Sequence, residues 1–288
     1  MPNLNEIKSS INNIKGTQKI TKAMYLISAS KSKAARLKLE KTRYHFNQLM
    51  STLADILTEI EDYDTAFTSA DYAKDAERDL YLVVAGDKGQ AGGYNYNVIH
   101  FLEKYADKAT SDVWVAGSMG RSLIVRRGYN VSPDFKYPVF NPNIFRAREV
   151  AELIVEAYYA KTYRKIFIVY TDMISALKLE PAIRQLLPLV PEDFIANKDE
   201  QGVYEKAEFE PDARSVFEHL VPHYLKGIIY GAFVDSFTCE QHARMFAMDN
   251  ATKSANDMIA SLSLTYNRVR QAKITQEITE IVGGIPTM

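Results

Sequence analysis

Apolar residues recur at alternating steps of three and four near both ends of the chain. The N-terminal set is Leu4, Ile7, Ile11 and Ile14, and later Leu49, Leu53, Ile56 and Ile60. The C-terminal set is Ile259, Leu262, Tyr266 and Val269, followed by Ile274, Ile278 and Ile281. These are coiled-coil spacings, because they keep one side of each helix apolar. Two amphipathic helices in an ordinary bundle would give the same pattern, so both interpretations stay open.

Helix breakers are rare at both ends. Residues 3–132 and 223–285 contain no proline, and Gly16 is the single glycine between 3 and 60. The sequence therefore predicts helices over about 3–58 and 212–284. At 1.5 Å per residue the first would be about 85 Å long, and the proline-free stretch of the second about 90 Å. Helices longer than a small domain is wide must project or pair, and we predict that these two pair antiparallel.

The stretch GTQKITKAM, residues 16–24, interrupts the N-terminal apolar pattern. It brings a glycine, two threonines, a glutamine and two lysines into the run. The pattern is predicted to shift phase near residue 18 and to resume at Ile20, Ala23, Ile27, Ala34 and Leu37. Such a shift resembles a stutter, which locally changes the winding of a coiled coil.

The middle of the chain alternates short β-rich runs with helical patterns. Predicted strands cover 79–87, 112–118 and 164–172, and predicted helices cover 92–109, 119–128 and 140–163. This alternation indicates a right-handed α/β layer with a mainly parallel, Rossmann-like sheet. Residues 177–189 and 203–211 are typical of further strands.

The predicted fold class is thus α/β plus a long antiparallel coiled coil, with the α/β domain inserted between the terminal helices. The predicted divisions are an N-terminal coiled-coil helix (1–60), a polar linker (61–78), a central α/β domain (79–208) and a C-terminal coiled-coil helix (209–288).

Candidate chemistry is weak. GDKGQAGG, residues 86–93, lies between a predicted strand and a predicted helix, where phosphate-binding loops occur. It lacks the Gly-Lys-Ser/Thr ending of a P-loop and the glycine spacing of the dinucleotide fingerprint, so we interpret it and AGSMGRS, residues 116–122, as tight turns. His219 and His223 form a poor metal pair and are assigned to solvated positions, and Cys239 to a buried thiol. No catalytic residue, metal or cofactor is predicted.

Charge is unevenly distributed although the net charge is only −1. Residues 1–43 hold ten lysines and arginines against Glu6 and Glu40, a local net charge of +8. A basic face indicates an acidic partner, although a solvated helix face would look the same. Sparse aromatic residues argue against nucleic acid. The single cysteine fits a reducing compartment, and no apolar run predicts a signal peptide or a membrane span.

Several segments resemble one known family. They are IKSSINNIKGTQKITKAM with ISASK near the N-terminus, GDKGQAGGYNYNVI and FEPD in the middle, and EQHARMFAMDNATKSANDMI with LTYNRVRQAKITQEITEIVGG near the C-terminus. In this order and spacing they resemble the gamma subunit of F-type ATP synthases. Gln90 stands where that family commonly has leucine.

The resemblance implies a central-stalk rotor without an active site of its own. Its partners would be the alpha and beta subunits of the catalytic ring, the epsilon subunit and the ring of c subunits. The chain would couple ion-driven rotation to ATP synthesis or hydrolysis, peripherally on the cytoplasmic face of a bacterial membrane, or in a mitochondrial or plastid setting. A shaft of a diverged rotary ATPase, or a free-standing α/β enzyme using the Gly86–Gly93 turn, stays open.

The resemblance also implies roles for particular residues. Contacts with beta subunits are assigned to Lys19, Lys22, Met24, Arg270, Gln271 and Thr275. Phe209 and Glu210 are assigned to the side that meets epsilon and the c ring. Under this hypothesis the polar interruption around Lys19 and Lys22 supplies exchangeable, charge-based contacts to acidic segments of the beta subunits.

Overall fold

The computed structural model describes residues 3–59, 65–175, 178–195 and 209–283. Its elements are α1 (Leu4–Glu59), β1 (Asp79–Val84), α2 (Tyr94–Leu102), β2 (Ser111–Ala116), α3 (Ser118–Arg126), β3 (Asn130–Val131), α4 (Ile144–Tyr159), β4 (Ile166–Met173), β5 (Leu179–Leu187), α5 (Pro191–Ile195) and α6 (Ala213–Gly283). None of these described helices has the length and hydropathy that a membrane span requires.

The chain divides into two compact units. We call Met1–Ala29 with Arg244–Met288 the coil unit, and Ser30–Ala243 the α/β unit. The divisions fall inside α1 and α6, whereas the sequence analysis places them at helix ends. The α/β unit extends into both helices because their inner segments, 30–59 and 213–243, supply buried side chains to its core.

The α/β unit contains a five-stranded sheet in the order β3-β2-β1-β4-β5. Strand β1 pairs parallel with β2 on one side and with β4 on the other, and β5 pairs antiparallel with β4. The predicted mainly parallel sheet is therefore confirmed. Strand β3 was not predicted, because two residues carry no alternation from which a strand can be recognised.

Both faces of the sheet are covered, as its continuous apolar strands require. Leu80, Leu82 and Val84 of β1 belong to a core with α4 and the inner segments of α1 and α6. Tyr81 and Val83 face the opposite way, into a core with α2 and α3. The sheet is thus doubly wound.

Part of the predicted polar linker contributes to the core. Phe67 is fully buried and Ala73 nearly so, in the cluster that contains α4. The polar composition of 61–78 hides this role because two apolar side chains are enough to anchor the segment. Of the strand predicted at 203–211, residues 203–208 lie outside the described part, and 209–211 are neither helix nor strand.

Helix α6 continues through Pro222. A proline inside a helix removes one backbone hydrogen bond and costs about 3 kcal/mol. Phe217, Val221 and Leu225, all fully buried, surround this position. Each contributes about 1.5–3 kcal/mol on burial, so tertiary packing keeps the helix intact where local preference would break it.

Two glycines allow α3 to approach the end of β1. Gly117 has φ +107°, and a Cβ there would lie 2.3 Å from the Ala85 carbonyl oxygen. A Cβ on Gly120 would lie 2.2 Å from the Ala85 Cβ. The Gly120 amide also donates to the Gly86 carbonyl at 3.1 Å. The turn predicted in AGSMGRS is therefore close-packed and lies at Gly117, whereas Ser118–Ser122 already belong to α3.

We expect Gly120→Ala to lower the free energy of unfolding by about 1–3 kcal/mol, because the new methyl group overlaps Ala85 in a closed core. Urea denaturation of the purified chain measures this change. Ser122→Ala, an exposed change in the same helix, is the control and should have little effect. Equal stability of the two variants would contradict the close approach.

Candidate functional site

In the coil unit, α1 and α6 run antiparallel with polar residues at the contact between them. Thr21 Oγ1 lies 2.7 Å from Thr252 Oγ1, and Gln18 Nε2 donates to Asn256 Oδ1. Each hydroxyl also lies within hydrogen-bond distance of a carbonyl oxygen of its own helix, Thr21 of Gln18 at 3.0 Å and Thr252 of Met248 at 2.8 Å, so either hydroxyl can donate to the other. The predicted antiparallel pairing is confirmed, and GTQKITKAM lies at its polar crossing.

The predicted phase shift near residue 18 is wrong. Ile20 is 62% and Ile27 54% exposed, and Ala23, Ala34 and Leu37 are exposed as well. Apart from Met24 and Ala29, the partly or fully buried positions of α1 in the coil unit are instead Leu4, Ile7, Ile11, Ile14, Gln18, Thr21, Tyr25 and Ser28. Their steps alternate between three and four without interruption, because polar residues that bond across the contact can take inner positions.

The predicted contact residues of GTQKITKAM lie beside this inner row. Lys19 and Lys22 are exposed and Met24 is half-buried. Ile20, Leu26 and Ile27, all large and more than half exposed, share the outer surface with the lysines. The outer surface of α1 in the coil unit therefore combines positive charge with apolar side chains.

The outer part of α6 has no α1 residue opposite it. Leu4, where α1 begins, lies 17 residues before Thr21, and Val269 lies 17 residues after Thr252, so the antiparallel register ends there. Every residue from 270 to 282 is exposed. The prediction that Ile274, Ile278 and Ile281 extend the coiled-coil contact is therefore wrong within this chain.

This exposed segment carries the other predicted contact residues, Arg270, Gln271 and Thr275. They share the helix with apolar side chains, of which Ile281 is 70% exposed. Such a helix end offers both charge and apolar area to a partner that surrounds it.

Phe209 and Glu210 lie in the α/β unit, just before α6. Phe209 is half-buried against the core, whereas Glu210 is exposed. Asp212 then caps the helix: its carboxylate accepts from the Ser215 amide at 2.8 Å and the Ser215 hydroxyl at 2.7 Å. These hydrogen bonds lower the Asp212 pKa.

The glycine-rich segment 86–93 is a strand-to-helix turn, as predicted. Gly86 follows β1, Gly92 has φ +56°, and Gly93 precedes α2. Asp87 directs its carboxylate to the start of α3, where it accepts from the Ser118 amide at 3.0 Å, and it also accepts from the Val139 and Phe140 amides at 2.8 and 2.7 Å. The Asp87 carboxylate thus occupies the start of α3, the helix that follows Gly117.

The two histidines and the cysteine that were considered as candidate site residues each contact other groups of the chain. His219 Nδ1 lies 2.7 Å from the Ser215 carbonyl oxygen, and His223 Nδ1 accepts from Lys226 at 3.4 Å. Cys239 is fully buried, as predicted, and burial raises the pKa of its thiol to about 12. Within the described ranges, no three His, Cys, Asp or Glu side chains are grouped to hold a metal ion.

Two features of the site escaped sequence reasoning. One is the inner position of Gln18 and Thr21. The alternating steps of three and four residues include both positions if polar residues are counted together with apolar ones. The other is Ser236 of α6, which bonds to the sheet and belongs to no recognisable motif.

Comparison with known proteins agrees with this architecture. Over residues 3–288 the chain matches the family model described as ATP synthase. It is 47% identical over 288 residues to the ATP synthase gamma chain of Ruminiclostridium cellulolyticum, covering 98% of this chain and 97% of that one. It is 45% identical to the ATP synthase gamma chain of Acetivibrio thermocellus, covering 99% of this chain and 98% of that one.

Solved structures show the same fold. A chain of the Euglena gracilis mitochondrial ATP synthase rotor matches with a TM-score of 0.65 and 16% identity, covering 94% of this chain and 98% of that one. A chain in a structure of the OSCP/F1/c-ring assembly from the same organism matches with a TM-score of 0.67 and 16% identity, over 97% and 92%. The fold is therefore that of ATP synthase rotor subunits. The sequence relationship is more specific: the chain belongs to the ATP synthase gamma-chain family.

We expect Thr21→Val and Thr252→Val each to destabilise the coil by about 0.5–1.5 kcal/mol, because each removes the hydrogen bond between them. The double variant should lose less stability than the sum of the two single losses, since its two valines pack against each other. Native-state hydrogen exchange of coil-unit amides measures all three.

Thr265→Val is the control for this cycle, because the Thr265 hydroxyl donates within its own helix, to Ser261. Additive effects of Thr21→Val and Thr252→Val, within about 0.3 kcal/mol, would show that the two hydroxyls do not interact.

Proposed function

We propose that this chain is the central-stalk rotor of an ATP synthase. It would turn with a ring of c subunits and drive the alpha and beta subunits of a catalytic ring through successive states. The observation that carries the proposal is the exposed end of α6, whose side chains from 270 to 282 are all accessible. A surface with charge and large apolar side chains fits a helix end held by surrounding subunits.

Rotation of the chain would be coupled to the nucleotide sites because the chain contacts the three beta subunits unequally. A rod whose sides differ meets three similar beta subunits with a different surface at each angle. Each orientation then favours a different conformation at each nucleotide site, and the populations shift as the rod turns. The outer surface of α1 in the coil unit, with Lys19, Lys22 and half-buried Met24, supplies one such side. Its lysines suit acidic segments of the beta subunits.

The contacts with the epsilon subunit and the c ring are proposed for the α/β unit. Phe209 is half-buried and Glu210 exposed, so their segment is accessible just before α6 begins. We assign this side to the epsilon subunit and the c ring. The chain would thereby reach the membrane only through partners, on the cytoplasmic face of a bacterial cell.

We further propose that the chain has no active site of its own and needs no cofactor. Two arrangements support this. The Asp87 side chain of the Gly86–Gly93 turn is bonded to the start of α3, and Ser236 of α6 bonds to both β4 and α2 beside the sheet. Both arrangements disfavour the alternative of a free-standing α/β enzyme.

Copurification tests the proposal. An affinity-tagged chain expressed in its own cell should retain alpha and beta subunits, and the isolated chain should not bind ATP in equilibrium dialysis. A chain that binds ATP alone and retains neither subunit would support the enzyme alternative instead.

We expect Arg270→Ala to impair assembly or ATP-driven rotation, because Arg270 is exposed where a charged partner can reach it. Loss of one member of a buried charge pair costs about 2–5 kcal/mol, whereas a solvated arginine contributes under about 1 kcal/mol. The measurements are subunit copurification and the ATP turnover of the purified complex.

Lys273→Ala is the matched control. It removes the same charge from the same segment, where Lys273 lies 3.8 Å from Glu277 of its own helix. The circular dichroism of both isolated variants should equal that of the wild type. Normal assembly and turnover in Arg270→Ala would remove the assigned contact.

A further inference from the structure

The glycine-rich segment and the inner part of α6 meet at the carboxyl edge of the sheet. In doubly wound sheets, ligands bind where neighbouring strands connect to opposite faces. Here that point lies between β1, which continues to α2 on one face, and β4, which α4 precedes on the other. Ala85 and Thr171 each lie two residues beyond the last paired positions of these strands, Val83 and Val169.

Helix α6 crosses this point. Phe237 belongs to the core on one face of the sheet, and Cys239, two residues later, belongs to the core on the other. A helix that contributes to both cores within half a turn lies at the sheet edge. The place that a ligand takes in other doubly wound proteins is thus occupied by α6.

Directional bonds hold α6 at this edge. The Tyr94 hydroxyl donates to the Ser236 carbonyl at 3.0 Å, and the Thr171 amide donates to the Ser236 hydroxyl at 3.1 Å. Tyr94 lies on α2 and Thr171 on β4, and Ser236 is fully buried. Burial raises the Tyr94 pKa, so the phenol stays protonated and keeps its donor. The two bonds reach Ser236 from different elements and therefore fix rotation of α6 about its own axis.

The glycine at the end of β1 fits the same contact. A Cβ on Gly86 would lie 3.1 Å from the carboxyl carbon and one carboxyl oxygen of Glu240 and 3.0 Å from Asn95 Oδ1. The Gly86 amide also donates to Asn95 Oδ1 at 2.8 Å. Gly86 therefore allows α6 and α2 to approach the strand end together.

We propose that this contact, formed by Gly86, Tyr94, Thr171, Ser236 and Glu240, is a socket that transmits torque from the α/β domain to α6. The buried apolar side chains of α6 already resist sliding of the helix, and two hydrogen bonds from separate elements add a directional restraint at one angle. The proposal rests on the proposed rotor function. Tyr94 and Ser236 are positioning residues in it.

Tyr94→Phe and Ser236→Ala test the socket, and Tyr81→Phe is the control. The Tyr81 hydroxyl also donates to a backbone carbonyl at 3.0 Å, that of Tyr105, but within the α/β layer. Tyr81 and Tyr94 are equally buried, each 5% exposed. The two tyrosine variants thus lose the same kind of bond at different places.

The first measurement uses the isolated chain. Amides near Ser236 should exchange about threefold to tenfold faster in Tyr94→Phe than in the wild type and be unchanged in Tyr81→Phe. Gly86→Ala should act like Tyr94→Phe, while Gly89→Ala, whose Cβ would meet nothing within 4 Å, should not. Unchanged exchange in both Tyr94→Phe and Gly86→Ala would overturn the socket whether or not the chain is a rotor.

The second measurement uses the whole complex in liposomes, with ATP-driven ion pumping measured without and against an opposing ion gradient. The socket variants should hydrolyse ATP at wild-type rates when unloaded but pump about twofold or more fewer ions per ATP under load. A structural defect alone would lower both the unloaded rate of ATP hydrolysis and the number of ions pumped per ATP under load. If the socket variants pump as many ions per ATP under load as Tyr81→Phe does, the proposal is overturned.

Tyr94→Phe keeps the buried ring, so it decides the result if Ser236→Ala does not fold. Failure of the wild-type chain to assemble with alpha and beta subunits would instead refute the rotor function, a result distinct from failure of the socket.

Discussion

The close approach of α6 to the carboxyl ends of β1 and β4 constrains much of the α/β unit. A Cβ at Gly86 would crowd the Glu240 and Asn95 side chains at 3.0–3.1 Å, and a Cβ at Gly120 would overlap Ala85. Ser236 presents its carbonyl to Tyr94 of α2 and its hydroxyl to Thr171 of β4. In the glycine-rich segment 86–93, Gly86 therefore serves packing between elements of one chain, and Gly92 serves the turn through its φ of +56°.

The coil unit follows a different constraint. Apolar side chains alone allow neighbouring registers of similar energy, since one heptad resembles the next. Thr21 and Thr252 bond directly, and Gln18 bonds to Asn256 one turn away. A shift of either helix would break both bonds, at about 0.5–1.5 kcal/mol for each. The polar crossing therefore favours one register at some cost in apolar burial.

Much of this architecture could be predicted from the sequence, and the failures have physical causes. The long helices follow from the absence of breakers, and the sheet from β-rich runs between helical patterns. The prediction that Ile20 and Ile27 lie on the inner side of the coil was wrong because an apolar side chain can belong to an external surface as well as an internal one. Ile274 kept the correct spacing, but spacing does not tell where the opposite helix begins. The bonds of Ser236 join residues distant in sequence, and one chain contains no local signal for them.

The stretch GTQKITKAM joins two functions on two sides of one helix. Gln18 and Thr21 are three residues apart and point inward, where they bond to α6. Lys19 and Lys22 each follow one of them by a single residue, about 100° further round the helix, and are exposed. A single polar segment can thus set the register on its inner side and present charge on its outer side. Under the proposed function, the two roles depend on each other, because a lysine meets a partner at a defined angle only if the register beneath it is fixed.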